Sequence, residues 1–442
     1  MLVGKTKSVC PVCLKVLDAE KHTGNDGFIY MQKSCPEHGS FKSLIWEGDL
    51  KSYLRWETES SVYEPPVNGK AVEKGCPYDC GLCEDHLRKG CCVLLELTNR
   101  CNLHCPVCFA DAGNKQPKDL SLDEIEKQYD FLMAHGGPFN IQLSGGEPTM
   151  RDDLPEIIQL GLNKGFTFFQ LNTNGIRLSE EPEYAEHLKA AGLNTVFLQF
   201  DSLKNETYEI LRGRPLLESK LKAIENCENA GLGIVLVPVI AAGLNDNEVG
   251  DIIRFAISWM PAVRGVHFQP VSYFGRCGLN RPERPVTIPK MLSLIEAQTE
   301  GKMTYNDFGG GGVENPYCSF HASYMVKEDG TLKALKRKSG SGCCCTTSDD
   351  SREFVANQWD GEGASVSASD SEMIDTSELD KFLQEAHRRT FALSGMIFQD
   401  AYNFDLSRVK RCYICELDSE KGMVPFCAYN LTDVKGNYLY RK

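Results

Sequence analysis

The sequence predicts an α/β fold: a partial (β/α)6 TIM-like barrel, preceded by a small rubredoxin-like metal module and followed by an irregular cysteine-rich domain. In the middle of the chain, six apolar or β-branched runs alternate with helical stretches, which implies a parallel sheet with right-handed crossovers. Six such units are too few for a complete eightfold barrel. At 442 residues the chain also exceeds a single ordinary domain. We expect four parts, which cover residues 1–66, 67–92, 93–288 and 289–442.

The strands are predicted from apolar runs and the helices from their caps. Residues 121–124, Ser-Leu-Asp-Glu, form a capping-box pattern before a helix that should end at Gly136. Two later helices should stop at Gly165 and Gly231, and a third should run from 245 to 260. The segments 336–350 and 361–370 are rich in Ser, Gly and Asp and are predicted to be loops. The predicted strands are 93–97, 139–143, 166–171, 195–200, 234–240 and 266–271.

Composition excludes several classes of protein. The net charge of −13 and the lack of a basic run argue against a nucleic-acid partner. No apolar stretch approaches the ~20 residues of a membrane span, and the N-terminus lacks the apolar core of a signal peptide. We therefore expect a cytoplasmic protein, for which peripheral contact with a membrane stays open. In that compartment, twenty cysteines grouped at short spacings indicate metal ligands rather than disulfides.

The spacing C-x3-C-x2-C occurs twice, on either side of the first predicted strand. Cys101, Cys105 and Cys108 follow this strand, at the carboxyl end where parallel sheets place reactive groups. Three thiolates can hold three irons of a [4Fe-4S] cube and leave the fourth iron open. The second set, Cys76, Cys80 and Cys83, precedes the strand and is expected at its other end or outside the barrel.

The downstream triad and the motif Ser-Gly-Gly-Glu-Pro after the second strand resemble the radical S-adenosylmethionine (SAM) superfamily. One departure is Val107, where the superfamily signature has an aromatic residue. The resemblance implies that Cys101, Cys105 and Cys108 bind the catalytic cluster. It also implies that residues at the ends of the next three strands face SAM or the substrate: Gly145, Gly146, Glu147, Pro148, Asn172, Asn174, Gln199 and Asp201.

The resemblance further implies the chemistry. The reduced cluster would cleave SAM to a 5′-deoxyadenosyl radical, which removes a hydrogen from an unactivated carbon. An external electron donor such as ferredoxin or flavodoxin would be needed. The protein supplies orientation and excludes water, while the cofactors carry the difficult step.

The remaining cysteine groups predict further metal sites. Cys76, Cys80 and Cys83 favour an auxiliary [4Fe-4S] cluster with Cys91 as fourth ligand, or Cys92 or His86 in its place; zinc is the alternative. At the N-terminus, a C-x2-C…C-x2-H pattern predicts a mononuclear zinc or rubredoxin-like iron site formed by Cys10, Cys13, Cys35 and His38. Near the C-terminus, a second auxiliary cluster is predicted in a SPASM-like domain, with buried free thiols as the alternative. Its expected ligands are Cys318, Cys412, Cys415 and Cys427.

Across nearly its whole length the chain resembles the radical SAM subgroup of tetraether lipid synthase and related C-methylases. The shared segments include "GCPYDCGLCEDH", "LTNRCNLHCPVCFADA", "LSGGEPTMRDDL" and "FQPVSYFGR". The resemblance implies carbon–carbon bond formation at an sp3 carbon, as in lipid biosynthesis. The alternatives are methylation or another group transfer from SAM to a small molecule, and an iron–sulfur electron carrier without SAM chemistry.

The substrate is open at this stage. A lipid predicts a long apolar groove, whereas a pterin or small organic acid predicts a compact polar pocket. Cys343, Cys344 and Cys345 have no counterpart in the subgroup and are expected in a mobile loop, with soft-ligand or thiol-radical groups near the substrate as the alternative.

Overall fold

A computed structural model describes residues 1–57, 63–113, 119–311, 313–335, 347–359 and 385–441. Its N-terminal module is a four-stranded antiparallel sheet in sequential order, followed by helix α1 (Leu50–Trp56), which Asp49 caps. The strands are β1 (Leu2–Val9), β2 (Val16–Thr23), β3 (Ile29–Cys35) and β4 (Gly39–Trp46). A short ion pair of 2.8 Å between Lys21 and Asp405 ties this module to the C-terminal part.

The predicted parallel strands form the centre of a larger sheet, which confirms the α/β barrel class. Neighbouring strands pair in parallel in the order in which they follow one another along the chain. They are β5 (Cys92–Thr98), β7 (Asn140–Gly145), β8 (Phe169–Thr173), β9 (Thr195–Gln199), β10 (Gly233–Val237) and β12 (Val263–Pro270); two short strands, β6 (Val107–Cys108) and β11 (Val239–Ile240), lie between them in sequence.

Strands from the C-terminal part extend both edges of this sheet. β16 (Thr390–Met396) pairs in parallel with β12, and β17 (Ile414–Asp418) pairs in parallel with β5. The hydrogen-bonded order begins with β15 and ends with β18, so strand pairing does not close the barrel wall within the described chain. The remaining strands are β13 (Arg276–Cys277), which pairs with β6, β14 (Ser319–Val326), β15 (Leu332–Ala334) and β18 (Gly422–Pro425).

Amphipathic helices cover the outer face of the sheet. Their apolar sides pack on the outward side chains of the strands in one core, in which Tyr129, Ile157 and Ile253 are fully buried. Ser121 and Glu124 form the predicted capping box of α2. The helices are α2 (Leu122–Ala134), α3 (Leu154–Asn163), α4 (Ile176–Glu180), α5 (Pro182–Ala190), α6 (Asn205–Arg212), α7 (Leu217–Asn229), α8 (Val249–Ser258) and α9 (Ile288–Gln298).

Two differences from the predicted elements have clear causes. The strand predicted at 234–240 is divided into β10 and β11 at Pro238, which has no N–H to donate to a ladder. The helix predicted from residue 245 begins at Val249. Asn245 instead uses its side chain inside the loop, where it accepts from Ala241 N at 2.9 Å and donates to Asp201 O at 2.9 Å.

The predicted loop at 336–350 is wrong at its C-terminal end. Residues 348–350 form the first turn of helix α10 (Ser348–Trp359). Thr347 and Asp350 cap it reciprocally: Thr347 N donates to the Asp350 carboxylate, and Asp350 N donates to Thr347 Oγ1, both at 3.1 Å. Cys343, Cys344 and Cys345 lie outside the described residues.

Two short helices complete the described chain, α11 (Leu406–Val409) and α12 (Phe426–Tyr429). None of the helices that could be assessed combines the length and apolar character of a bilayer span.

Candidate functional site

The N-terminal module brings its four predicted ligands together. The ligand atoms of Cys10, Cys13, Cys35 and His38 all lie within 4.8 Å of one another. His38 Nδ1 is 3.7 Å from Cys10 Sγ and 3.4 Å from Cys35 Sγ. Burial would raise the pKa of Cys35, but the Glu37 N–H and a hydrogen bond with His38 lower it to about 7. The set suits one tetrahedral ion inside a closed shell of ligands.

The downstream triad lies on the wall of an internal cavity. Cys101, Cys105 and Cys108 follow β5 and line a cavity of about 360 Å³ that runs through the barrel. Burial raises the pKa of Cys101 to about 12 and also raises that of Cys105. Without a metal these two thiols stay protonated at neutral pH, and a bound metal would hold them as thiolates. Three soft ligands on one loop, facing open space, fit an iron–sulfur cube with one free iron.

Buried cations hold the loop that carries the triad. Arg212 donates to both carboxylate oxygens of Asp201 at 2.7 Å and to Val107 O at 3.0 Å. Arg276 donates to Cys105 O at 2.8 Å and to Asp111 at 2.9 Å. The loop is therefore fixed by backbone contacts before any cofactor binds.

The glycines after β7 are required by the cluster loop itself. Gly145 has a φ of +122°, and a Cβ there would clash with Thr98 O. A Cβ at Gly146 would clash with Arg100 O. The glycines let the β7 end and the cluster loop approach closely, and Pro148 then begins a short 3₁₀ turn.

Glu147 is buried on the cavity wall and is strongly hydrogen-bonded. Its carboxylate accepts from Thr149 N at 3.1 Å, Thr149 Oγ1 at 2.8 Å, Thr173 Oγ1 at 2.7 Å and Asn174 N at 2.7 Å. Burial nevertheless raises its pKa. These bonds join the carboxyl ends of β7 and β8.

The other predicted SAM or substrate residues divide into two groups. Asn172, Asn174 and Gln199 line the cavity, and Asn174 also donates to Asn102 of the cluster loop at 2.7 Å. Asp201 is fully buried on Arg212 and is not among the described lining residues. Direct contact of Asp201 with SAM or substrate stays a prediction. In the structure its carboxylate forms an ion pair with Arg212.

The upstream triad is a separate feature from the cavity. Cys76 and Cys80 are hydrogen-bonded to each other, which lowers the pKa of Cys76. Burial and a neighbouring negative charge at Cys76 raise the pKa of Cys83. Tyr440 from the C-terminal tail accepts from Cys80 N at 2.9 Å. The structure thus groups these three thiols, while their cluster remains a prediction.

The proposed fourth ligands of that triad lie elsewhere. Cys91 and Cys92 line the cavity at the amino end of β5, and Cys91 is hydrogen-bonded to Ser351 of α10. His86 is hydrogen-bonded to Cys412 O at 2.7 Å, and burial lowers its pKa to about 4. A role for Cys91 in the upstream cluster stays a prediction.

The C-terminal thiols form a third group behind the cavity wall. Cys318, Cys412 and Cys427 act electrostatically on one another, and burial raises the pKa of each. Arg408 Nε donates to Cys318 Sγ at 3.3 Å. Cys415 lies within β17 in the barrel core, opposite Val93 of β5. Cys412 interacts electrostatically with Cys415 as well as with Cys427 and Cys318, so the four-cysteine cluster stays a prediction.

The lining also contains polar residues that sequence reasoning missed. Side chains from alternate positions of the strands enter the cavity, as do the apolar and aromatic side chains of α10. The missed signal is a polar residue at every second position of an otherwise apolar strand, as in Asn140-Ile-Gln142-Leu-Ser144. Among these polar lining residues are Asn140, Gln142, Ser144, Gln170, His267, Gln269 and Ser394.

Comparison with known proteins defines the class. Residues 95–256 match the Radical SAM superfamily, and residues 2–47 match the HMPTM N-terminal zinc ribbon domain. The protein is a radical SAM enzyme, and a [4Fe-4S] cluster and SAM are the cofactors of this superfamily. The zinc ribbon match and the four compact ligands together indicate an additional metal site.

The relatives define the family more closely. The chain is 37% identical over 481 aligned residues to the 7,8-dihydro-6-hydroxymethylpterin dimethyltransferase of Methanocaldococcus jannaschii, covering 96% of this chain and 93% of that protein. It is 33% identical to the GTP 3′,8-cyclase of Alkaliphilus oremlandii, over 54% of this chain and 78% of that protein. A solved structure, Streptococcus suis SuiB bound to S-adenosylmethionine, aligns with a TM-score of 0.41 at 15% identity, covering 48% of this chain and 47% of SuiB. The chain belongs to the radical SAM family that contains the dimethyltransferase.

Proposed function

We propose that this enzyme is a radical SAM C-methyltransferase that acts on a reduced pterin. The observation that carries the proposal is the 37% identity to the pterin dimethyltransferase, because it extends over both chains almost from end to end. The cavity supports it: a space of about 360 Å³, partly lined by carboxamides, suits a compact polar substrate. The comparisons give no support to lipid biosynthesis or to the carbon–carbon joining of a tetraether synthase.

In this proposal Cys101, Cys105 and Cys108 hold the cluster, and Asn172, Asn174 and Gln199 contact SAM or the substrate. When bound, the reduced cluster and SAM supply the radical chemistry of the superfamily. The protein orients the reactants through the Gly145 and Gly146 backbone and keeps water out of the barrel. An external donor such as ferredoxin or flavodoxin, and a cytoplasmic location, belong to the same proposal.

The test is anaerobic turnover of the reconstituted protein with dithionite, SAM and 7,8-dihydro-6-hydroxymethylpterin. We expect 5′-deoxyadenosine and methionine from the SAM that forms the radical, S-adenosylhomocysteine from the SAM that gives its methyl group, and a methylated pterin, all identified by mass spectrometry. Cys105→Ala should remove the 5′-deoxyadenosine and the methylated pterin, whereas Cys227→Ala, a buried cysteine on α7 outside the lining, should retain them. Formation of 5′-deoxyadenosine with no change to any pterin would overturn the substrate assignment. Failure to cleave SAM would instead favour an electron carrier.

A further inference from the structure

The interior of this barrel differs from an ordinary packed core. Barrel interiors are normally filled by layers of branched apolar side chains. Here β7 and β8 direct Gln142, Gln170 and Asn172 inward at alternate positions. A buried amide without partners costs free energy, so such a lining is expected where a ligand completes the hydrogen bonds.

These three carboxamides form a continuous run. Gln170 Nε2 donates to Asn172 Oδ1 at 2.8 Å, and Asn172 Nδ2 donates to Gln142 Oε1 at 3.3 Å. Each carboxamide offers two N–H donors and an oxygen with two lone pairs, so the run uses only part of their capacity. Gln142 also makes a side-chain hydrogen bond with Cys92. The capacity that is left lies on the cavity that these residues line, where a ligand with a matching edge could use it.

The following strands of the same sheet carry a neutral imidazole and an aromatic ring, with Phe197 of β9 paired directly beside Asn172 of β8. His267 Nδ1 lies 2.8 Å from Ser394 Oγ on the paired strand β16, and burial lowers the pKa of His267 to about 4. The Phe197 and His267 ring centroids are 6.0 Å apart. Phe197 also meets Trp359 edge to face at 5.9 Å. This wall suits a flat uncharged ring system.

Helix α10 closes the far end of the cavity, away from the cluster loop. Asn140, the first residue of β7, donates to Arg352 O of α10 at 3.0 Å. Val355 and Ala356 pack against Phe168, directly before β8. The helix therefore lies across the amino ends of the strands, and Trp359 from its last turn enters the cavity.

The one arginine on the described lining is paired with a carboxylate, and the two glutamates there accept hydrogen bonds from hydroxyl groups. Arg212 is bound to Asp201, Glu147 accepts from Thr173, and Glu314 accepts from Ser319. A ligand with phosphate or carboxylate groups would find no unpaired cation among the lining residues that the structure describes.

We propose, on the basis of the function proposed above, that the Gln142–Asn172–Gln170 run reads the amide edge of the pterin ring. Trp359 and Phe197 hold the ring face, and His267, whose ring lies beside Phe197, contacts the same ring system. Because an amide edge offers adjacent donors and acceptors, carboxamides can pair with it through two hydrogen bonds at once. The run thereby reads an edge that guanine also carries, and the lack of an unpaired cation on the described lining is what disfavours a nucleoside triphosphate.

The experiment is a binding titration of the anaerobically reconstituted full chain with 7,8-dihydro-6-hydroxymethylpterin, with GTP as the charged comparator. Gln170→Leu and Gln142→Leu remove the amide with little change in volume. Each should weaken pterin binding about tenfold or more, consistent with one or two lost hydrogen bonds. Gln32→Leu, on β3 of the N-terminal module, is the control and should bind as the wild type does. Bound iron should be unchanged in all variants, and Gln32→Leu should also retain pterin-independent cleavage of SAM.

A ligand-side measurement keeps the test independent of folding. A pterin methylated on its amide nitrogen should bind the wild type about tenfold more weakly, because one donor is lost. The inference is wrong if both leucine variants bind the pterin as the wild type does, if the methylated pterin binds equally well, or if GTP binds as tightly as the pterin. The proposed function fails separately, when the wild type neither binds nor methylates the pterin.

Discussion

The N-terminal metal set and the cavity triad use the same thiol ligand in opposite settings. Cys10, Cys13, Cys35 and His38 surround one point, with all ligand atoms within 4.8 Å, and leave no position for a further ligand on a tetrahedral ion. Cys101, Cys105 and Cys108 supply three ligands on the edge of open space. A closed set stabilises a small module, whereas an incomplete set can bind and activate a small molecule.

Removal of one thiol from each site should have the largest and most different effects on SAM cleavage and on metal content. Cys105→Ala should abolish 5′-deoxyadenosine formation, because a cube on two thiolates is not retained. Cys35→Ala should lose the N-terminal ion and lower the melting temperature, while SAM cleavage by the remaining folded protein persists. Metal analysis and product mass spectrometry on the same samples check both. Equal loss of SAM cleavage in the two variants would contradict the distinction.

The open site depends on a buried ion pair that the closed site does not need. Asp201 and Arg212 are both almost fully buried and joined by two bonds of 2.7 Å. Asp201→Asn leaves Arg212 without its counter-charge and should cost about 3–5 kcal/mol in the free energy of unfolding. Asp251→Asn, in the exposed pair with Arg254, should cost less than about 1 kcal/mol. Urea unfolding of the two variants measures the difference. Similar losses in the free energy of unfolding would show that the buried pair stabilises the fold no more than the exposed pair does.

The metal ligands and strands that depend on local sequence patterns could be predicted from the sequence. The compact set of Cys10, Cys13, Cys35 and His38 follows from short spacings in two turns, and the parallel strands follow from their apolar runs. The position of the downstream triad follows from the rule that loops after parallel strands are reactive. The capping pair at Thr347 and Asp350 was also readable, but the Gly- and Ser-rich residues before it favoured a loop.

Features that depend on distant contacts were not predictable. Cys91 lies before the first strand, next to the upstream triad in sequence, yet the fold places it on the cavity beside α10. Asp201 follows β9 at the position expected of a residue that contacts SAM or substrate, but its carboxylate is bound by Arg212 from α6. Gln142 and Gln170 were missed, unlike Asn172, because isolated polar residues in a strand also occur on solvated faces.

The neutral histidine gives the open site a pH dependence that a packed core would not have. The pKa of His267 is about 4 because of burial, below the ordinary value of 6.5. Between these values the unfolded chain binds a proton that the folded chain does not, so stability falls as the pH drops from about 6.5 toward 4, by up to about 1.4 kcal/mol per pH unit. His267→Gln should lose less stability than the wild type between about pH 7 and about pH 5.5, as measured by urea unfolding. His187→Gln, on the outer helix α5, is the control and should follow the wild-type slope.

The smallest effect concerns the closure of the cavity by α10. Thr347→Ala removes an N-cap hydrogen bond and should cost about 1 kcal/mol, which loosens the helix locally. Amide hydrogen exchange in residues 348–359 should then rise about fivefold, since local opening becomes easier by that free energy. Ser121→Ala removes the matching cap of α2 and should accelerate exchange in that helix without affecting α10. If Thr347→Ala leaves exchange in α10 unchanged, the cap does not hold the helix in place, and the closure must depend on the packing of Val355 and Trp359 against the barrel wall.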